Sequence, residues 1–366
     1  MKRRVHTGRC LQTAPHHLHA STPFVQGEVE LLYRLSLIVV VALLVGTGHV
    51  WAQTVDQDDV VRVESDITNL PFTVTDKERR FITTLRAEDV RVLEDGVPQT
   101  LFTFQRETDR PLAIAFLIDV SASQEATLPE EKAAARLFIE NVIKSNRDVV
   151  GIVPFTGLAY LEQDLTRDVL SVYNVLQRVE VAVPAYLGSG KPLTGIVTGP
   201  GLPAPPRSGS TAIWDAIALT ASNVLTKAPG LRRRAIILLS DGGDTTSRLS
   251  KKEAVNRALA AETVIYAIGI GDSRLQDGAD PRGDLRDIAE RTGGRAFFPD
   301  KKFDLNAAFA EIERELRTQY LIAYSSTNKK RDGSYRKITI EITNPDLRKQ
   351  NLRLRHRPGY FAKSGS

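Results

Sequence analysis

Residues 112–123 read Leu112-Ala113-Ile114-Ala115-Phe116-Leu117-Ile118-Asp119-Val120-Ser121-Ala122-Ser123, and this stretch decides the fold. An apolar run without charge, Gly or Pro predicts a strand buried on both faces, the signature of a parallel sheet. One carboxylate and two hydroxyls then arrive at spacing two. In extended chain that spacing sends side chains to one side. Asp119, Ser121 and Ser123 therefore converge just past the carboxyl end of a central strand, where open α/β sheets bind ligands. Hard oxygen donors suit Mg²⁺, Mn²⁺ or Ca²⁺ rather than zinc or copper. Asp and Ser also make turns and cap helices, so the stretch gains weight only from support elsewhere.

Two other stretches give that support. Ser240-Asp241-Gly242-Gly243-Asp244 follows the apolar run from Ala235 to Leu239, and Gly209-Ser210-Thr211 opens a helical segment from Ala212 to Leu225. Taken in order, Asp-x-Ser-x-Ser, then Thr, then Asp, the three stretches resemble the von Willebrand factor type A family with its metal-ion-dependent adhesion site. The resemblance covers roughly residues 110–318. It implies that Asp119, Ser121, Ser123, Thr211 and Asp241 hold a divalent cation, Mg²⁺ with Mn²⁺ or Ca²⁺ as alternatives. Asp119 is then the main charge anchor, and the three hydroxyls are neutral positioning ligands. Asp241 binds directly or through water. Five side chains leave a position open on a six-coordinate ion, and the family resemblance implies that a Glu or Asp of a protein or peptide partner fills it. Asp244 is expected to shape the turn.

Strand and helix patterns alternate through this region. Ala135, Phe138, Ile139, Val142 and Ile143 fit one helical face, and Pro129 with Glu130 and Glu131 makes a favourable helix start. Strands are expected over Val149–Phe155 and Val264–Ile270. Helices are expected over Thr166–Val179 and Asp284–Thr292, the second capped by Asp284 and ended by Gly293-Gly294. Leu305, Ala308, Phe309, Ile312 and Leu316 mark the face of a last helix. The fold class is therefore α/β, a doubly wound, mostly parallel, Rossmann-like sheet over residues 109–318. Residues 183–210 interrupt it with six Gly and six Pro. Because this insertion ends at Thr211, it is expected to form part of a ligand-binding rim.

Both flanks read as β structure. Phe72-Thr73-Val74-Thr75 alternates, Phe81-Ile82-Thr83 follows a turn, and Val90-Arg91-Val92-Leu93 runs into the hairpin signal Glu94-Asp95-Gly96, followed by a strand from Gln99 to Phe104. Beyond the last helix, Gln319–Ser325, Arg336–Thr343 and Leu352–Arg355 are strand candidates. Segments 53–108 and 319–366 are expected to pair into one β-sandwich-like module. This arrangement resembles secreted type A-related proteins of acidobacteria. In those, a stretch like Val74-Thr75-Asp76…Leu93-Glu94-Asp95-Gly96 precedes the metal-site domain, and one like Tyr320-Leu321-Ile322-Ala323-Tyr324…Arg357-Pro358-Gly359-Tyr360 closes it.

Residues 1–52 read as a secretory signal behind an N-terminal extension. Arg34 precedes the apolar run from Leu35 to Val45, and Val50-Trp51-Ala52 predicts cleavage after Ala52. That places the mature chain outside the cell or in the periplasm. An uncleaved segment would instead anchor it to a membrane, although the run is short for the ~20 residues of a span. The His-rich start sits oddly before a signal, and a true start near Val29 would explain it. Removing residues 1–52, which hold five Lys/Arg against Glu28 and Glu30, brings the formal net charge from +5 to +2, so charge gives no argument for nucleic acid.

The same cleavage removes Cys10, the only cysteine, and five of the six histidines, leaving His356. Ser-His and Cys-His nucleophiles and His-ligated zinc then have almost nothing to be built from. Other enzyme motifs fail on inspection. An aspartyl nucleophile of the haloacid dehalogenase type wants Asp where Ser121 stands. Gly188-Ser189-Gly190-Lys191 lacks the phosphate loop's outer Gly and following Ser/Thr, since Ala185 and Pro192 stand there. Gly269-Ile270-Gly271 lacks the third glycine of a dinucleotide site. Asp272, Asp277, Asp280 and Asp284 miss calcium-loop spacing. Arg282-Gly283-Asp284 is read as a chance tripeptide, and Lys227–Arg234 as a solvated basic rim. The expectation is a binding protein, not an enzyme, that uses its metal to recognise a protein or peptide. The alternative is a structural or scaffolding subunit whose metal does not take part in ligand binding.

Overall fold

A computed structural model describes residues 67–106, 110–143, 146–182, 190–193, 210–230, 232–270, 280–299 and 302–364. The predicted leader, the rest of segment 53–66, most of the 183–210 insertion, and Asp272 and Asp277 of the acidic loop lie outside the described residues. Among the described residues no helix is long and apolar enough to cross a membrane.

The chain opens with β1 (Ile67–Thr75), β2 (Val90–Glu94), β3 (Val97–Pro98) and β4 (Leu101–Arg106), then enters β5 (Leu112–Asp119) and helix α1 (Leu128–Val142). There follow β6 (Val149–Phe155), β7 (Tyr160–Leu161), β8 (Gln163–Thr166), α2 (Val169–Arg178) and β9 (Lys191–Pro192). Helix α3 (Ile213–Leu219) widens into a π turn over Thr220–Val224 before β10 (Arg233–Ser240). Next come α4 (Lys251–Ala260), β11 (Thr263–Gly269), α5 (Pro281–Thr292), β12 (Ala296–Phe297) and α6 (Lys302–Thr318). The chain closes with β13 (Tyr320–Ser325), β14 (Tyr335–Ile342), α7 (Pro345–Arg348), β15 (Arg353–His356) and β16 (Gly359–Phe361).

The central sheet has the order β12-β11-β10-β5-β6-β8. Every pairing in it is parallel except β6 with β8. β5 is buried along its whole length, and the period-two alternation of its side chains divides the core. Leu112, Ile114, Phe116 and Ile118 pack with residues of α1, α2 and α6. Ala113, Ala115 and Leu117 pack with residues of α3, α4 and α5. Helices thus cover both faces, which a buried parallel sheet requires.

The flanking strands build a sandwich. One sheet runs β15-β1-β13-β4 and the other β16-β14-β2-β3. β1 pairs antiparallel with β13, and β2 with β14, so strands far apart in sequence close one module. Leu70, Phe72, Tyr320, Ile322 and Tyr324 of the first sheet meet Val92, Ile338 and Ile340 of the second in a single core. Asp95 and Gly96 both take positive φ, 49° and 82°, the two-residue turn whose twist suits a β2–β3 hairpin.

Several details differ from the sequence reading. The helix expected from Asp284 starts at Pro281, because the Asp280 side chain accepts from Gly283 N at 2.9 Å and caps it. Asp284 lies inside α5 and pairs with Lys251 Nζ at 2.8 Å. Phe81 forms only an isolated bridge to Thr75 instead of a strand. The basic rim is not simply solvated: Arg234 Nη1 donates to Ala261 O at 2.9 Å, Arg232 Nη2 donates to Arg147 O at 2.8 Å, and Arg233 donates to Leu316 O. These guanidiniums tie the amino ends of the central strands to neighbouring carbonyls. The sandwich attaches at that same end, with Asn69 Nδ2 donating to Glu262 Oε1 at 3.0 Å and Arg355 Nη1 to Gly294 O at 3.2 Å. It leaves the carboxyl ends of β5 and β10 clear.

Candidate metal centre

β5 and β10 are neighbours, and Ile118 is in register with Leu239. The next residues, Asp119 and Ser240, therefore emerge side by side at the carboxyl edge. Connections leave this point in opposite directions, β5 through α1 to β6 and β10 through α4 to β11, which makes the crevice between them a topological switch point.

Four hydrogen bonds lace the surrounding loops into a ring. Val120 N donates to Phe155 O at 2.9 Å, and Ala212 N to Thr156 O at 2.7 Å. Thr245 N donates to Thr211 O at 2.8 Å. Ser240 Oγ donates to Asp119 Oδ2 at 2.7 Å and closes the ring. Asp119, Ser121 and Ser123 sit on the first loop, Thr211 on the third, and Asp241 directly after Ser240. Thr211 is buried and is held a second time, its N–H donating to Thr245 Oγ1 at 2.8 Å.

Within the first loop, Asp119 is fully buried. Its Oδ1 accepts from Ser121 N at 3.0 Å, and the Ser121 and Ser123 hydroxyls lie 3.0 Å apart. Ser123 is exposed and Asp241 half-buried, so the cluster opens to solvent on one side. Asp241 Oδ1 accepts from Gly243 N at 3.1 Å. Gly242 makes this turn possible: its φ is +86°, and a Cβ there would lie 2.7 Å from Pro281 O, so both sterics and backbone demand glycine.

Asp244 has the structural part expected of it. Its Oδ1 accepts from Ile213 N at 2.8 Å and from Ser247 Oγ at 2.5 Å, and Ser247 Oγ in turn accepts from Trp214 N at 3.0 Å. These two residues cap the first turn of α3 from another loop and fix Thr211 just before it.

The electrostatics are lopsided. Burial pushes the Asp119 carboxyl up to about 6, against its hydrogen bonds from Ser121 and Ser240, and the Asp241 charge adds to the rise. Burial pushes a third acid, Glu131 of α1, up to about 8; the nearby Thr127 hydroxyl opposes this, and the charges of Asp119 and Asp241 add to it. Among the described residues none of these three acids forms an ion pair. Concentrated acid without a basic partner fits a divalent cation, which would supply the opposing charge. Among the described residues no three His, Cys, Asp or Glu side chains form a metal cage by themselves. A cation here would depend on the hydroxyls of Ser121, Ser123 and Thr211 as much as on carboxylates.

Two participants were missed in the sequence. Ser240 stands inside a quoted stretch, and its exact register beside Asp119 is the signal that identifies it. Glu131 was read only as a favourable first-turn acid. Its position on the face that carries Ala134, Ala135 and Phe138 is the cue that it points inward.

Residues 202–312 match the family model for the von Willebrand factor type A domain. The match takes in Thr211 and Asp241 but begins after the Asp119 loop. Among solved structures, the chain is similar to an aerotolerance-related membrane protein from Bacteroides fragilis NCTC 9343, at 18% identity and TM-score 0.40, covering 56% of this chain and 98% of that one. It is similar to a von Willebrand factor type A protein from Catenulispora acidiphila, at 12% identity and TM-score 0.44, covering 83% and 76%. It is also similar to proximal thread matrix protein 1 from the mussel byssus, solved with a zinc-occupied MIDAS motif, at 18% identity and TM-score 0.45, covering 61% of this chain and half of that one. No curated protein matches the chain.

Proposed function

We propose that this chain is a metal-dependent, adhesion-type binding protein. Asp119, Ser121, Ser123, Thr211 and Asp241 hold a divalent cation, Mg²⁺ foremost, and the partner is a protein or peptide that supplies an acidic residue to the open coordination position. The observation that carries the reading is the hydrogen-bonded ring that gathers three loops around Asp119 at the switch point of a type A sheet. Only Asp119 and Asp241 bring charge, so a bound ion keeps attraction for an incoming carboxylate. In this reading the chain is a binding protein and not an enzyme. A secreted or periplasmic location follows from the Leu35–Ala52 segment, and N-terminal sequencing of the expressed protein tests the cleavage.

Calorimetry with Mg²⁺ on wild type and Asp119→Ala tests the metal centre, with saturable binding expected only for wild type. Pull-down from the native envelope with and without chelator then tests recognition. Capture lost on chelation supports a metal-bridged partner. Capture indifferent to chelation sinks that reading and points to a scaffolding subunit.

A further inference from the structure

Glu131 is the most unusual acid among the described residues. It lies in the first turn of α1, where its neighbour Glu130 is exposed and free to complement the helix N-terminus. Glu131 instead is 0% exposed, and neither of its carboxylate oxygens has a hydrogen-bond partner. The nearby Thr127 Oγ1 lies 3.0 Å from Gln124 Oε1 and 3.4 Å from Gln124 O, within reach of two other acceptors. An unpaired buried carboxylate is costly and brings nothing to packing that a leucine would not.

Backbone bonds tie the start of α1 to the ligand loop. Gln124 N donates to Ser121 O at 3.0 Å, Thr127 N to Gln124 O at 3.1 Å, and Glu131 N to Thr127 O at 3.1 Å. Three short steps thus lead from a proposed metal ligand to Glu131, and the charges of both Asp119 and Asp241 reach it. The three acids do not converge as a cage, so Glu131 acts on a cation through space and not as a ligand.

We infer that Glu131 is an outer, charge-balancing carboxylate of the metal centre, buried beneath the ligand loop to strengthen the hold on a multiply charged cation. The inference rests on the metal reading above and extends it to a residue outside the adhesion-site pattern. It accounts for a group that the metal-free fold would be better without.

The test compares wild type, Glu131→Gln, Glu131→Met and Asp119→Ala, with Mg²⁺ and Tb³⁺ as probes in calorimetry and with thermal denaturation in chelator. Loss of an outer carboxylate is expected to weaken Mg²⁺ binding by about tenfold. Coulomb energy scales with ion charge, so the Tb³⁺ loss should be larger, about thirtyfold. The chelated melting temperature of Glu131→Gln should equal or exceed that of wild type, and the methionine variant supplies the same comparison without a polar group. Unchanged Mg²⁺ affinity, equal losses for the two ions, or a lower chelated melting temperature in both variants overturns the inference. If Asp119→Ala binds Mg²⁺ like wild type, the metal centre itself is wrong. If Asp119→Ala abolishes binding and the Glu131 variants do not change it, only the role of Glu131 falls.

Discussion

Ser240 Oγ donates to Asp119 Oδ2 across 2.7 Å and joins the carboxyl ends of two adjacent parallel strands. Both residues are fully buried, so neither oxygen can fall back on water. Ser240 Oγ also accepts from Gly242 N at 3.1 Å, which makes it the hinge between Asp119 and the turn that carries Asp241.

Ser240→Ala should therefore act on stability and on metal affinity together. It strips a donor from a buried carboxylate, at about 1–3 kcal/mol, and it frees the Gly242 turn. Thermal denaturation in chelator should show the loss. Mg²⁺ calorimetry should show binding weakened by about ten- to a hundredfold, as for other residues that orient a ligand. A variant that melts and binds like wild type would mean that the hydroxyl orients nothing.

How much of this could be read in advance follows from what each residue answers to. The Leu112–Ile118 run could mean little except a doubly covered strand, because burial on both faces suppresses alternation. The sandwich strands were legible for the opposite reason: Ile338, Ile340 and Ile342 alternate with polar residues, and one face of β14 is buried. The Asp95-Gly96 turn was explicit in its residues. The arginines of 232–234 were not legible, because a guanidinium that caps a distant carbonyl has the same sequence context as one in solvent. Asp280 as a cap is hard to see because Pro281 and Gly283 resemble helix breakers, yet proline suits the first turn. Ser240 and Glu131 depend on register between strands and on rotation of a helix, neither of which composition reports.

The sandwich makes its own prediction through Glu94. This buried carboxylate accepts from Tyr324 Oη at 2.9 Å, Tyr360 Oη at 3.0 Å and Arg336 Nη1 at 3.3 Å, and from the Ser326 hydroxyl. It links β2 to β13, β14 and β16, and so to both sheets. Glu94→Ala leaves the buried Arg336 without its counter-charge, at a cost of about 3–5 kcal/mol. Glu94→Gln keeps the shape and should cost less. Because the sandwich sits at the amino ends of the central strands, Mg²⁺ affinity of folded Glu94→Gln should stay at the wild-type value. Urea denaturation and Mg²⁺ calorimetry check both halves, and an affinity loss in the folded variant would contradict the separation of module and site.

The acids around the metal centre contribute to the pH dependence of the metal-free protein. Folding raises Asp119 from 3.8 to about 6 and Glu131 from 4.5 to about 8. With pKa raised in the folded state, the native chain holds protons that the unfolded chain has released. The resulting stabilisation is full below the unfolded values and is lost as pH rises through about 6 for Asp119 and about 8 for Glu131. Each tenfold difference in proton affinity is about 1.4 kcal/mol, so in chelator the stability should fall between pH 6 and 8. His356, lowered mainly by burial from 6.5, has the opposite sign and withdraws stability as pH falls below that value, whereas Glu315 and Asp244, both raised mainly by burial, act in the same direction as Glu131. Saturating Mg²⁺ should reverse the trend, because a cation competes with these protons and binds better as they leave. Urea denaturation in chelator across pH 6–8 checks the slope, and Glu131→Gln should flatten it. If wild type is already flat across that window, Glu131 ionises normally in the folded chain and burial does not control it.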